Sequence, residues 1–210
     1  MDLSAPFIQG LMVFGRNPAV WAKGVYKMMN IAKTPWKLHS ELQAREVSRM
    51  ERVLAGGSTA SIDYFEAMPV LRKVAGKIAG RRGERAVAET YGRAEAAFLG
   101  FGEIARDEMW KVGKYTIGLK GLPEAAQKEQ LRDLAQSLDR MTGVMSPQKA
   151  GISITQQQVE SAWIFFAPRY TRAGLAFMGD MIRAGATGAQ ARKALGGLLV
   201  GGLTVYTGMA

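Results

Sequence analysis

Glu103, Asp107 and Glu108 place three carboxylates within six residues, and these are the side chains with the clearest capacity for chemistry. Two acids held close together could divide general acid and general base roles, or share a cation. Arg106 sits among them, and in a helix the group falls on the polar side. That pattern favours a solvated charged face over a site. The rest of the chain offers little else. It has no cysteine, so there is no thiolate nucleophile, thiolate metal site or disulfide framework. Its one histidine, His39, lies among polar neighbours and is expected to be exposed or simply hydrogen-bonded. Zinc clusters and a Ser-His-Asp triad have almost no material. The expectation is a protein that is not an enzyme, with no catalytic, metal or cofactor-binding residues.

Binding chemistry is better represented. The chain carries 28 basic and 18 acidic residues, a net charge of +10. Such a balance suits an anionic neighbour: nucleic acid, lipid headgroups or acidic protein. Arg81, Arg82 and Arg85 are the candidate phosphate contacts in the densest basic cluster, with Lys73 and Lys77 nearby. Arg81-Arg82 between Gly80 and Gly83 reads equally as a solvated turn, the commoner outcome. Arg169 and Arg172, one turn apart, form a second candidate pair. They close the segment Trp163-Ile164-Phe165-Phe166-Ala167-Pro168-Arg169-Tyr170, where Trp163, Phe165, Phe166 and Tyr170 call for burial. Pro168 lacks an N–H and so should stop one helix and restart another.

The elements that must position these residues read as helices. At 210 residues and 48% hydrophobic, the chain can bury a sizeable core. Residues 4–15 suit a short helix. Asn17-Pro18 has the cap-plus-proline signature of a helix carrying Val20, Trp21, Gly24, Val25, Met28 and Ile31. Thr34-Pro35 repeats that signature, ahead of a helix to about Leu54 lined by Leu38, Leu42, Val47, Met50 and Leu54. After the Gly56-Gly57 turn, Pro69 should kink or divide the next helix. The longest helix is expected over about 84–116. There Val87, Tyr91, Ala94, Phe98, Phe101, Ala105 and Val112 follow a 3.5-residue repeat that skips at Glu108. Gly92, Gly100, Gly102 and Gly113 in this helix imply close approach of neighbouring elements. Pro123 and Glu124 open a helix to about Met141 with Leu134 and Leu138 inward. Residues 144–155 read as a loop.

The expected fold is therefore all-α: a multi-helix bundle with one long central helix and an apolar C-terminal helix. Its parts are N-terminal amphipathic helices (1–56), a central bundle (57–143), and a loop, aromatic corner and C-terminal helix (144–210). Residues 194–210 contain no charged side chain, at the lower edge of the length of a membrane span. Leu195, Leu198, Leu199 and Leu203 could pack or meet a membrane, and Gly197 to Gly201 forms a G-x-x-x-G, a weak signal of close helix crossing. Ending inside an apolar run suggests a piece of something longer.

The order of several short motifs resembles a segment of very large bacteriophage proteins, the large polyvalent proteins. These motifs are Asp2-Leu3-Ser4-Ala5-Pro6-Phe7-Ile8-Gln9-Gly10, Gly15-Arg16-Asn17-Pro18 with the Trp21 helix, and the helix Arg93 to Trp110. The Leu134 to Gly143 element, Phe165-Phe166-Ala167-Pro168-Arg169-Tyr170 and the basic-to-apolar Ala191-Arg192-Lys193-Ala194 complete the series. Met145 to Ser153 departs from the group's glycine-arginine pattern. The resemblance implies a non-catalytic helical module of an internal virion or ejection protein, helping to assemble an internal core or a conduit for genome delivery. Its location would be the virion, then the host cell envelope. Its partners would be other virion proteins, the rest of its own chain and further copies of itself, with DNA and membrane as candidates. The alternative is a sequence-independent nucleic-acid-binding module.

Overall fold

The computed structural model describes residues 10–58, 68–143 and 168–209, with side chains at 68–76, 79, 87, 91, 168–173, 202, 204–206 and 208–209 outside that description. The described residues form α-helices and one short 3-10 turn, with no strand among them. The helices are α1 (Leu11–Arg16), α2 (Pro18–Lys33), α3 (Lys37–Gln43), α4 (Glu46–Leu54), α5 (Met68–Thr116), α6 (Glu124–Met141), α7 (Pro168–Gly179) and α8 (Gly185–Met209). The fold is all-α, as the periodicities predict.

Local chemistry accounts for most boundaries. The Asn17 side chain accepts the Val20 N–H at 3.2 Å, and Pro18 occupies the first turn of α2. Thr34-Pro35 acts differently from expectation. Thr34 closes α2, and the next helix begins only at Lys37. The single helix expected to Leu54 is divided at Ala44-Arg45 into α3 and α4. Pro69 stands at the second residue of α5, where its missing N–H does no harm. The kink lies instead at Gly80, whose φ of 61° and ψ of −155° leave the helical region. Beyond it α5 runs on to Thr116 as the long helix. Pro123 opens α6, and Pro168 starts α7.

Helix α5 is the spine. On one side Ala105, Met109 and Trp110 join Val13, Val20, Leu134, Leu138, Met141, Phe177, Ala191 and Ala194 in the main apolar core. A smaller cluster, Met28, Ala32, Ala97 and Phe101, seals α2 along α5. The bare Cα of Gly100 admits Ile31, and that of Gly113 admits Leu134, whereas Gly92 and Gly102 meet no such neighbour among the described residues. The G-x-x-x-G of α8 packs on α1. Gly197 faces the Gly15 backbone, and Phe14 lies beside Gly201. Leu198 meets Gly15 and Leu195 packs on the main core, while Leu199 and Leu203 face outward. Among the described residues no helix is long and apolar enough to cross a membrane.

Candidate functional site: a buried arginine–carboxylate network

Helix α4, together with the Arg45 that precedes it, presents two stripes at helical spacing. One is Arg45, Ser48, Arg49 and Arg52; the other is Val47, Met50 and Leu54. The polar stripe faces inward. Arg45 and Arg52 are buried, whereas Val47 and Leu54 are 84% and 85% exposed. The expectation that Val47, Met50 and Leu54 line the core is thus reversed. The reason lies on α5, where Glu103, Arg106 and Asp107 are also buried. They are not a solvated face. They form the charged half of the α4–α5 interface, and burying carboxylates demands cations opposite them.

The pairing is dense. Glu103 accepts from Arg52 Nη2 at 2.9 Å and Arg49 Nε at 3.2 Å through Oε2, and from Arg106 Nη2 at 2.6 Å through Oε1. Arg106 also donates to Thr142 Oγ1 at 3.1 Å, which ties α5 to the end of α6. Asp107 accepts from the Ser48 hydroxyl and from Lys111 at 2.8 Å, with Arg45 Nε 3.5 Å away. Arg45 further donates to Glu41 at 2.5 Å, and Glu41 also accepts from Lys27 at 2.5 Å. Glu108, less buried, pairs with Lys23 at 2.9 Å. Glu51 accepts from the Trp110 indole N–H at 3.1 Å and from Lys114 at 2.5 Å.

Asp139 on α6 completes the network. Its Oδ2 accepts the Ser58 backbone N–H at 2.6 Å, and its Oδ1 lies 3.5 Å from Arg52 Nη1. Arg52 Nη1 donates to the Ser58 carbonyl at 2.5 Å, so the segment after α4 is clipped at both backbone groups of one residue. Burial pushes the Asp139 carboxyl up to about 6, against the opposing pull of Arg106, Arg52 and Ser58. Burial and the neighbouring Arg106 draw the Arg52 guanidinium down from its ordinary value. Among the described residues the Nε atoms of Arg45, Arg52 and Arg106 have no hydrogen-bond partner, so the network retains a desolvation cost.

Chemically, this arrangement is a clamp joining α4, α5 and α6. The acids the sequence singles out, Glu103, Asp107 and Glu108, are already engaged with cations. The carboxyl with raised proton affinity is Asp139, to which no motif points. The clue to the clamp was the Arg45, Ser48, Arg49, Arg52 spacing, matched by Glu103, Arg106 and Asp107 at similar intervals. Among the described residues no group of three or more acidic or histidine side chains could hold a metal ion. His39 is exposed.

The candidate phosphate contacts lie apart from the clamp. Arg81, Arg82 and Arg85 are exposed on α5 just after the Gly80 kink. Arg169 and Arg172 fall at the start of α7, but their side chains, like that of Tyr170, are outside the described residues, as are Trp163, Phe165 and Phe166 entirely. Compared with known proteins, the chain matches no family model, no curated protein and no solved structure.

Proposed function

We propose that the chain is a non-enzymatic helical assembly module of a phage internal virion or ejection protein. In this reading it helps to build an internal core, or a conduit for genome delivery across the host envelope. The observation that carries the assembly role is the orientation of α4. Its arginines are spent inward on the clamp, and Val47, Met50 and Leu54 are left outward as an aliphatic strip. A folded helix that exposes its apolar stripe while burying its charged one suits a surface that meets another helix. Leu175, Met178 and Ile182 form a second outward strip at the same spacing, at the end of α7 and in the following turn. The phage context rests on the motif order, with Phe165-Phe166-Ala167-Pro168-Arg169-Tyr170 its most specific part.

Sedimentation velocity of the full chain tests this reading. The expected result is concentration-dependent self-association that is lost in Val47→Ser/Met50→Ser/Leu54→Ser, with the helical circular dichroism signal unchanged. A chain that stays monomeric at every concentration, or a variant that associates as well as the parent, counts against it.

A further inference from the structure

We infer that the Gly80 kink presents Lys77, Arg81, Arg82 and Arg85 as a sequence-independent binding surface for the phosphate backbone of duplex DNA. This goes beyond the assembly role and uses a different part of the molecule. All four cations are exposed, and none has an ion-pair partner among the described residues. Glu84 is the one acid within the patch; the next, Glu89, is engaged with Arg93 at 2.8 Å. Among the described residues the apolar clusters take their first α5 member at Ala97, and none of residues 77–85 belongs to them. Arg81 and Arg85 are one helical turn apart, and Arg82 and Arg85 nearly so. That spacing lets guanidinium forks reach successive phosphates. Three of the four cations are arginines, which suit phosphate oxygens by geometry as well as charge.

The neighbouring residues favour nucleic acid over a bilayer. From Ala79 to Ala86 every residue that is not charged is alanine or glycine. Ile78, 81% exposed, is the one bulky apolar side chain described within the patch, so an acyl layer is offered a single anchor against four cations. An added Cβ at Gly80 would meet no atom of the described residues within 4 Å, so there is space at that position of the kink. Nothing in the patch is arranged to read base edges, so affinity should depend on salt and not on sequence.

The test is fluorescence anisotropy of the full chain with labelled mixed-sequence duplexes of about 30 bp, between about 50 and about 200 mM NaCl. The proposal expects equal affinity for unrelated sequences and a steep loss of affinity with salt. It expects Arg81→Gln/Arg82→Gln/Arg85→Gln to weaken binding at least about tenfold and to flatten the salt slope by two to three phosphate contacts, or roughly that number. Lys33→Gln/Lys37→Gln, which removes two exposed cations elsewhere, should bind as the parent does. Unchanged DNA binding by the triple variant would overturn the proposal. So would binding by the parent to anionic vesicles (phosphatidylserine in phosphatidylcholine) but not to DNA, since the patch would then be a lipid surface. Sedimentation of the same triple variant keeps this result separate from the assembly reading, which predicts that it still self-associates.

Discussion

Arg52 is the residue on which the clamp turns, because it touches Glu103, Asp139 and the Ser58 carbonyl at once. Arg52→Met removes the cation beside Asp139 and leaves that buried carboxyl with no ion pair among the described residues, while Glu103 keeps Arg49 and Arg106. Loss of one partner from a buried pair costs about 3–5 kcal/mol, and that is the drop in urea unfolding free energy expected here. Arg52→Met/Asp139→Asn should recover part of it by removing the orphaned acid as well. Recovery of none would show that the two side chains do not act as a pair. Asp139 predicts a pH dependence of defined sign. Its carboxyl is raised from 3.8 to about 6 in the folded chain, so the folded state holds a proton that the unfolded state has released. Stability therefore falls as pH rises through that window, and the full penalty is present above it. Glu41 and Glu51 act oppositely. Burial raises each, but hydrogen bonds from Lys27 and Arg45, and from Lys114 and Trp110, outweigh it and leave both below the ordinary 4.5. Their contribution is present above 4.5 and lost as pH falls below it. Asp139→Asn keeps an acceptor for the Ser58 N–H and should abolish the decline between about pH 4.5 and about pH 6. A decline that persists in urea melts of this variant would assign it to another group.

At the scale of elements, the crossing of α1 and α8 depends on two residues without side chains. A Cβ on Gly197 would run into the Gly15 backbone, whereas one on Gly196 would meet nothing within 4 Å. Gly197→Ala is expected to destabilise by about 1–3 kcal/mol through overpacking. Gly196→Ala should stabilise by up to about 1 kcal/mol through helix propensity. Equal melting temperatures for the two variants would refute the close crossing. These glycines also show what could be read from the chain alone. The G-x-x-x-G was visible as spacing, and so were the Asn17-Pro18 cap, the Pro123 start and the long helix to Thr116, because each depends on local chemistry. Which stripe of α4 faces inward was not visible. Val47, Met50 and Leu54 and Arg45, Ser48, Arg49 and Arg52 have equally good helical periods. The choice between them is made by Glu103 and Asp107, which lie more than fifty residues away in sequence. Asp139 was illegible for the same reason: its raised proton affinity comes from burial against α4 and α5, and nothing local to α6 signals it. The Gly80 kink was legible as a break, while its outward arginines could be read as either turn or site.

Across the whole molecule, an ordinary apolar core sits beside a buried charged interface, and aliphatic strips share the exterior with basic residues. The described buried side chains include Arg45, Arg52 and Arg106 against Glu103, Asp107, Asp139 and Asp180, so this interior holds no excess of base. The +10 net charge therefore lies elsewhere on the chain, and Lys77, Arg81, Arg82 and Arg85 gather part of it on the surface. Aliphatic strips on α4 and at the end of α7 share that exterior. Salt should act differently on each of these three layers. Buried pairs are little screened, exposed phosphate contacts are lost through counterion competition, and apolar association is preserved or strengthened. Raising NaCl from about 0.05 M to about 0.5 M should thus release duplex DNA, leave self-association intact and move the urea midpoint little. Anisotropy, sedimentation velocity and urea melts on one preparation read the three responses in parallel. If DNA binding and self-association fell together with salt, the basic kink and the aliphatic strip would have to be parts of one interface, and the division of the surface argued from α4 and Gly80 would be wrong.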